Sequence, residues 1–134
     1  MLDRNDILTI IDSAYASRAA GDKAALEQFW APDATYKMVG EAGLLERYPV
    51  GPLDANEATR AIIDLIAFHA LERVDAIVEG NRAAVLWNVT MSSGESGECP
   101  SQLYDLWELD DDGRARSLIQ FADTALVATM IAAS

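Results

Sequence analysis

The stretch that decides the fold is residues 71–122, LERVDAIVEGNRAAVLWNVTMSSGESGECPSQLYDLWELDDDGRARSLIQFA. It holds four runs rich in Val, Leu, Ile, Trp and Thr, each parted from the next by a turn signal. Leu71 to Glu79 leads into Gly80-Asn81, and Arg82 to Ser92 into Gly94-Glu95-Ser96-Gly97. Gln102 to Leu109 leads into Asp112-Gly113, and Ala115 to Ala122 is the returning run. Glycine beside Asn or Asp marks hairpins, because these residues reach the left-handed conformations that tight turns require. The pattern predicts a meander of about four long antiparallel strands.

Upstream, the hydrophobic period changes to that of helices. Ile7, Ile10, Ile11, Ala14, Tyr15 and Arg18 recur at spacings of three and four, which predicts a helix from about Asp6 to Ala20. Asp3 or Asn5 can cap its start and Gly21 suits its end. Asp22 then caps a short helix holding Ala25, Leu26, Phe29 and Trp30, which Pro32 stops. Ala34 to Val39 reads as a strand with Tyr36 and Met38 on one face. Gly40 to Pro52 carries five Gly or Pro breakers and reads as a loop or short irregular strand. Asp54 with Glu57 opens a third helix, whose apolar face is Ala58, Ala61, Ile62, Leu65 and Ile66, with His69 at its end. Asp123 caps a final helical turn through Leu126 and Val127. Helices first and strands after them predict an α+β layer architecture rather than βαβ units. Long strands with one covered face curl and leave a concave side for the helices.

The chain has 134 residues, 10 basic and 22 acidic, for a net charge of −12. That length suits a single domain spanning residues 1–134. The acidity argues against nucleic acid and against an anionic membrane surface, both of which need basic patches. No apolar run approaches the roughly 18 residues of a membrane span. The first residues carry Asp3, Arg4 and Asp6 before too few apolar residues for a signal peptide. With one cysteine, Cys99, an internal disulfide is impossible. The expectation is a soluble, cytoplasmic protein.

The first helix, Ala20-Gly21-Asp22, the short helix with its aromatic, and Ala31-Pro32-Asp33-Ala34-Thr35 together resemble the start of the nuclear transport factor 2-like superfamily. Val78-Glu79-Gly80-Asn81-Arg82-Ala83-Ala84-Val85-Leu86-Trp87 is similar to its central hairpin. Asp112-Gly113-Arg114 through Phe121-Ala122-Asp123-Thr124-Ala125 is similar to its last strand and terminal turn. Ketosteroid isomerases, SnoaL-like polyketide cyclases and scytalone dehydratase belong there. The resemblance implies a cone: a strongly curved, mostly antiparallel sheet with three helices from the N-terminal half packed on its concave side. Carried over without gaps, the ketosteroid isomerase base falls on Met38, which cannot abstract a proton. The oxyanion-hole tyrosine falls on Ala14, one residue before Tyr15, and the acid falls on Asp105. Relatives pair through the outer sheet face, which implies a homodimer with Leu86, Asn88 and Thr90 contributing.

Asp105 is the foremost candidate. If it shares a face with Trp107 and Leu109 it enters the concave side, where desolvation raises a carboxyl pKa and suits it to carry a proton. With the phase reversed, Tyr104 and Leu106 lie inside and Asp105 is solvated. Arg18 either holds an anion or pairs with Asp105, or it snorkels to water. His69, the one histidine, is either an acid–base group or a packing residue. Tyr15 is the third catalytic candidate. Ala14, Arg18, Trp30, Tyr36, Met38, Trp87, Val89, Met91, Trp107 and Gln120 either wall a small-molecule cavity or fill a core of the same composition. Zinc wants several His or Cys ligands and there is one of each, so no metal site and no cofactor is expected. Asp110-Asp111-Asp112 lacks the spacing of a calcium loop, and no P-loop, dinucleotide fingerprint or nucleophile elbow is present.

Three functions fit these residues. One is isomerase- or cyclase-type proton transfer on a small hydrophobic, carbonyl-bearing molecule through Asp105. The second is a non-catalytic small-molecule-binding or accessory dimer module. The third is a dehydratase or hydrolase using His69 with Asp105, which requires the two within hydrogen-bond reach, directly or through one water.

Overall fold

A computed structural model describes residues 2–40, 53–94 and 96–133. Helix α1 (Arg4–Ala20) begins at Asp3, whose carboxylate accepts from the Asp6 backbone while the Asp6 side chain accepts from the Asp3 backbone. This reciprocal cap satisfies donors that a helix start leaves orphaned. Gly21 ends the helix in the left-handed conformation, φ 69°, which costs glycine nothing. Ile7, Ile11, Ala14, Tyr15 and Arg18 form the buried face.

Helix α2 (Lys23–Glu27) is capped by Asp22 and stops well before Pro32. Phe29 lies in a turn and Trp30 already opens strand β1 (Trp30–Val39). Pro32 sits inside that strand because the pairing is irregular there. Register skips between Trp30 and Thr35, and Asp33 adopts φ 61°. A bulge of this kind excuses the missing proline N–H. The loop expected over residues 40–52 lies, after Gly40, outside the described residues, as does Glu95 of the second turn.

Strand β2 (Leu53–Asp54) pairs with β1, and Asp54 caps helix α3 (Ala55–Leu65) by accepting from the Glu57 backbone at 2.9 Å. Ile66 is extended, so the period changes from helix to strand three residues before His69. His69 therefore belongs to β3 (Ala67–Glu79), not to the end of a helix face, and Phe68 points inward instead. Strands β4 (Arg82–Ser92), β5 (Cys99–Leu109) and β6 (Ala115–Ala122) follow as the hairpin signals predict. Asp123 accepts from the Leu126 backbone at 3.1 Å. It opens a full helix, α4 (Thr124–Ala133), rather than one turn, and Val127 and Met130 of that helix enter the core.

The sheet order is β2-β1-β6-β5-β4-β3. All pairs are antiparallel except β1 with β6. Register irregularities at Phe68/Ala70, Arg73/Asp75 and Glu108/Leu109 strengthen the local twist. The result is the expected α+β cone, a curved open sheet with helices in its concavity. Helix α1 is tied to β3 by the Asp12–Arg73 ion pair at 2.9 Å. No described helix is long and apolar enough to cross a membrane.

Candidate functional site

Strand alternation puts Leu103, Asp105, Trp107 and Leu109 inside and leaves Tyr104 outside. Asp105 is 0% exposed. Register sets it opposite Gln120 of β6 and Val85 of β4, and α1 lays Tyr15 across it. The Tyr15 hydroxyl donates to Asp105 Oδ2. Gln120 Nε2 donates to Asp105 Oδ1 at 3.1 Å and to Tyr15 Oη at 2.9 Å. The Tyr36 hydroxyl donates to Gln120 Oε1 at 2.8 Å. Three side chains from three elements thus direct their protons, in series, toward one carboxylate.

Burial pushes the Asp105 carboxyl up to about 6, against the pull of hydrogen bonds from Tyr15 and Gln120. The Trp107 and Trp87 indoles add a smaller pull toward the charged form, yet neither N–H closes a hydrogen bond. They act as nearby dipoles rather than as partners. Burial also raises the Tyr15 phenol well above its ordinary value, and the Asp105 charge adds to this. Tyr36 is raised for the same two reasons.

In front of this network lies a cavity of about 50 Å³, enough for a few waters. Of the expected wall, Ala14, Tyr15, Arg18, Trp30, Tyr36, Trp107 and Gln120 line it. Met38, Trp87, Val89 and Met91 do not; they are buried core residues. Asp105 stands behind the wall and reaches the cavity through Tyr15 and Gln120. The sequence reading missed Leu26, Thr59, Ile62, Phe68 and Leu118 on the wall. Leu118 shares a phase with Gln120, and Phe68 becomes visible once β3 is allowed to start at Ala67. Trp30 and Trp107 stack with centroids 5.9 Å apart. Tyr15 packs on Trp87 and lies parallel to Phe68.

The structure does not bring His69 to this site. Its side chain is 39% exposed on β3, with Ser92 Oγ at 2.6 Å and the Glu98 carboxylate at 3.4 Å. The hydrogen-bonded His69–Asp105 pair that a dehydratase or hydrolase would need is therefore not formed. Met38, at the position implied for a base, is Gln120's neighbour on the parallel strand and offers no proton acceptor. Ala14, on which the ungapped carry-over places the oxyanion-hole tyrosine, lines the cavity without a hydroxyl, and the next residue, Tyr15, carries the hydroxyl on Asp105.

The sequence pattern of the SnoaL-like domain matches residues 11–118, four fifths of the chain, including Tyr15, Arg18 and Asp105. The chain belongs to the SnoaL-like family. No curated protein matches this SnoaL-like chain in sequence. Among solved structures, an NTF2-like protein of unknown function from Burkholderia pseudomallei is 19% identical over 94% of this chain and 97% of its own, with a TM-score of 0.77. TerC, co-crystallised with polyporic acid, is 16% identical over 95% and 98%, with a TM-score of 0.74. An LEH-like epoxide hydrolase of M. tuberculosis is 11% identical over 96% and 91%, with a TM-score of 0.70. At such identities the likeness concerns the fold, and the activity of this SnoaL-like protein has to be argued from its own cavity.

Proposed function

We propose that the cone cavity binds a small, largely apolar, carbonyl-bearing molecule, and that Asp105 exchanges a proton with it through the Tyr15 hydroxyl, in isomerase- or cyclase-type chemistry without a cofactor. The observation that carries this is the buried Asp105 carboxyl bonded to Tyr15 and Gln120, both of which face the cavity. An ionised Asp105 holds the Tyr15 proton inward. A protonated Asp105 donates to Tyr15 Oη instead and frees the phenolic proton for a ligand carbonyl, while water admitted to the cavity takes the α-hydrogen; return of a proton to carbon and of the enol proton to Tyr15 and Asp105 closes the cycle. With the carboxyl at about 6, both forms are accessible near neutral pH, as acid–base work requires. A small-molecule role also fits the family neighbours, one crystallised with polyporic acid and one an epoxide hydrolase.

A second reading, binding without turnover, has one observation in its favour. Among the described residues, the wall supplies no carboxylate or imidazole of its own, and Met38 stands where the family resemblance implies a base. Exchange of α-hydrogens of cyclohexenone for deuterium, followed by NMR in D2O, separates the two. Proton transfer is expected to give exchange above buffer that falls as pH rises through about 6 and is lost in Asp105→Asn and Tyr15→Phe. Thermal stabilisation by the ketone with exchange at the buffer rate would leave binding alone.

We further propose that the chain forms a homodimer through the outer face of the sheet, where Tyr104, Phe121 and Ile77 are exposed at 42%, 43% and 65%.

A further inference from the structure

Arg18 is unusual for its setting. It is 8% exposed, it lines the cavity, and it lies one helical turn beyond Tyr15. Its Nη2 donates to the Ile66 carbonyl, and its guanidinium carbon sits 3.9 Å above the Phe68 ring. No carboxylate forms an ion pair with it among the described residues. A guanidinium carries five N–H donors in a planar fork, and among the described residues only one hydrogen bond draws on them. Burying a cation without a counter-ion is costly, and a ring face with one carbonyl offsets only part of that. Burial lowers the group to about 10, which leaves it charged at neutral pH. In a chain of net charge −12, Arg18 is the one charged side chain among the described residues of the cavity wall.

We propose that Arg18 is the anchor for an anionic group on the ligand, a carboxylate or its geometric equivalent, so that the natural ligand is a small apolar organic acid. This rests on the cavity-binding reading above and narrows its ligand class. Shape supports it. The cavity is about 50 Å³, a third of the roughly 150 Å³ that holds benzene, so it accepts a compact polar head. Leu26, Ile62 and the stacked Trp30 and Trp107 of the same wall enclose that head with apolar surface, and the apolar body extends from it out of the cavity. Arg18 binds the head as a fork, and the head faces the Tyr15 hydroxyl.

Isothermal titration of the full chain with benzoate and hexanoate, against benzamide and hexanamide, tests this. Wild type is expected to bind the acids at least tenfold more tightly than the amides. Arg18→Met is expected to weaken the acids by about 10- to 100-fold and to leave the amides within threefold, and Arg18→Lys is expected to recover part of the loss. If Arg18→Met does not fold, the acid-over-amide preference of wild type and the Arg18→Lys loss still decide. Equal binding of acids and amides, undiminished acid binding in the variants, or no binding of any probe overturns the proposal. Acid binding in wild type without α-hydrogen exchange of the ketone would end the proton-transfer reading and leave the anchor standing, so the two failures are told apart.

Discussion

A carboxylate sealed behind an aromatic wall changes stability with pH in a direction set by its shift. The Asp105 carboxyl rises from 3.8 to about 6 on folding, so between those values the native state binds more protons than the unfolded state. Stability from this group is then full below about pH 4 and declines as pH rises through 6, by about 3 kcal/mol in all. Asp105→Asn removes the buried charge, and its amide can still donate to Tyr15 Oη. It is expected to be more stable than wild type at pH 7 and no more stable at pH 4, as read from paired urea titrations. A variant less stable than wild type at both pH values would refute the burial argument. Asp105 was legible in the sequence as a candidate because Leu103, Trp107 and Leu109 share its strand phase, but Tyr104 and Leu106 offered the opposite phase, and burial decides between them. His69 was not legible, because its face depends on where a helical period yields to a strand period. The extended Ile66 makes that change three residues earlier than the hydrophobic spacing suggests. Tyr15 and Arg18 were legible as one helix face, but what they touch depends on segments about 50 to 105 residues later in the chain.

Among the elements, those closed by local chemistry were the readable ones. The Asp3, Asp22, Asp54 and Asp123 caps and the Gly80-Asn81 and Asp112-Gly113 turns act within a few residues of themselves. The parallel pairing of β1 with β6 has no such local signal, because it joins segments about 80 residues apart. The β1 bulge was hidden because Pro32 normally argues against a strand, and only the Asp33 conformation resolves the conflict. One contact between distant elements is open to a direct test. At Gly40, just past β1, an added Cβ would lie 2.8 Å from Thr124 Cβ at the first turn of α4, with the rest of that side chain closer still. Gly40→Ala is therefore expected to force α4 off the sheet end and to lower stability by about 1–3 kcal/mol. Hydrogen exchange should quicken first in 124–133, and Thr124→Ala should return part of the loss. Unchanged exchange in α4 would mean that the strand end yields instead.

For the whole molecule, the open question is what covers the convex face of the sheet. Register places Leu86, Tyr104 and Phe121 in one outward row and Ala84, Leu106 and Ile119 in the next, with Ile77 beside Ala84. Asn88, expected to join a dimer contact, is hydrogen-bonded to Glu72 at 3.2 Å and to Gln102 at 2.9 Å within the chain. The apolar area thus lies toward Tyr104, and the polar ladder forms its rim, as interfaces are usually built. Each partner would bring a charge of −12, so the proposed dimer would form against long-range repulsion that salt screens over about 10 Å at 0.1 M and about 3 Å at 1 M. Light scattering is expected to give about twice 14.5 kDa, with tighter association as salt rises. Tyr104→Glu places a fixed charge in the centre of the patch, on a side chain already 42% exposed, so it is expected to give a folded monomer with the cavity intact. A wild type that scatters as 14.5 kDa at every salt concentration would remove the dimer. An unchanged mass in Tyr104→Glu would move the interface off this face.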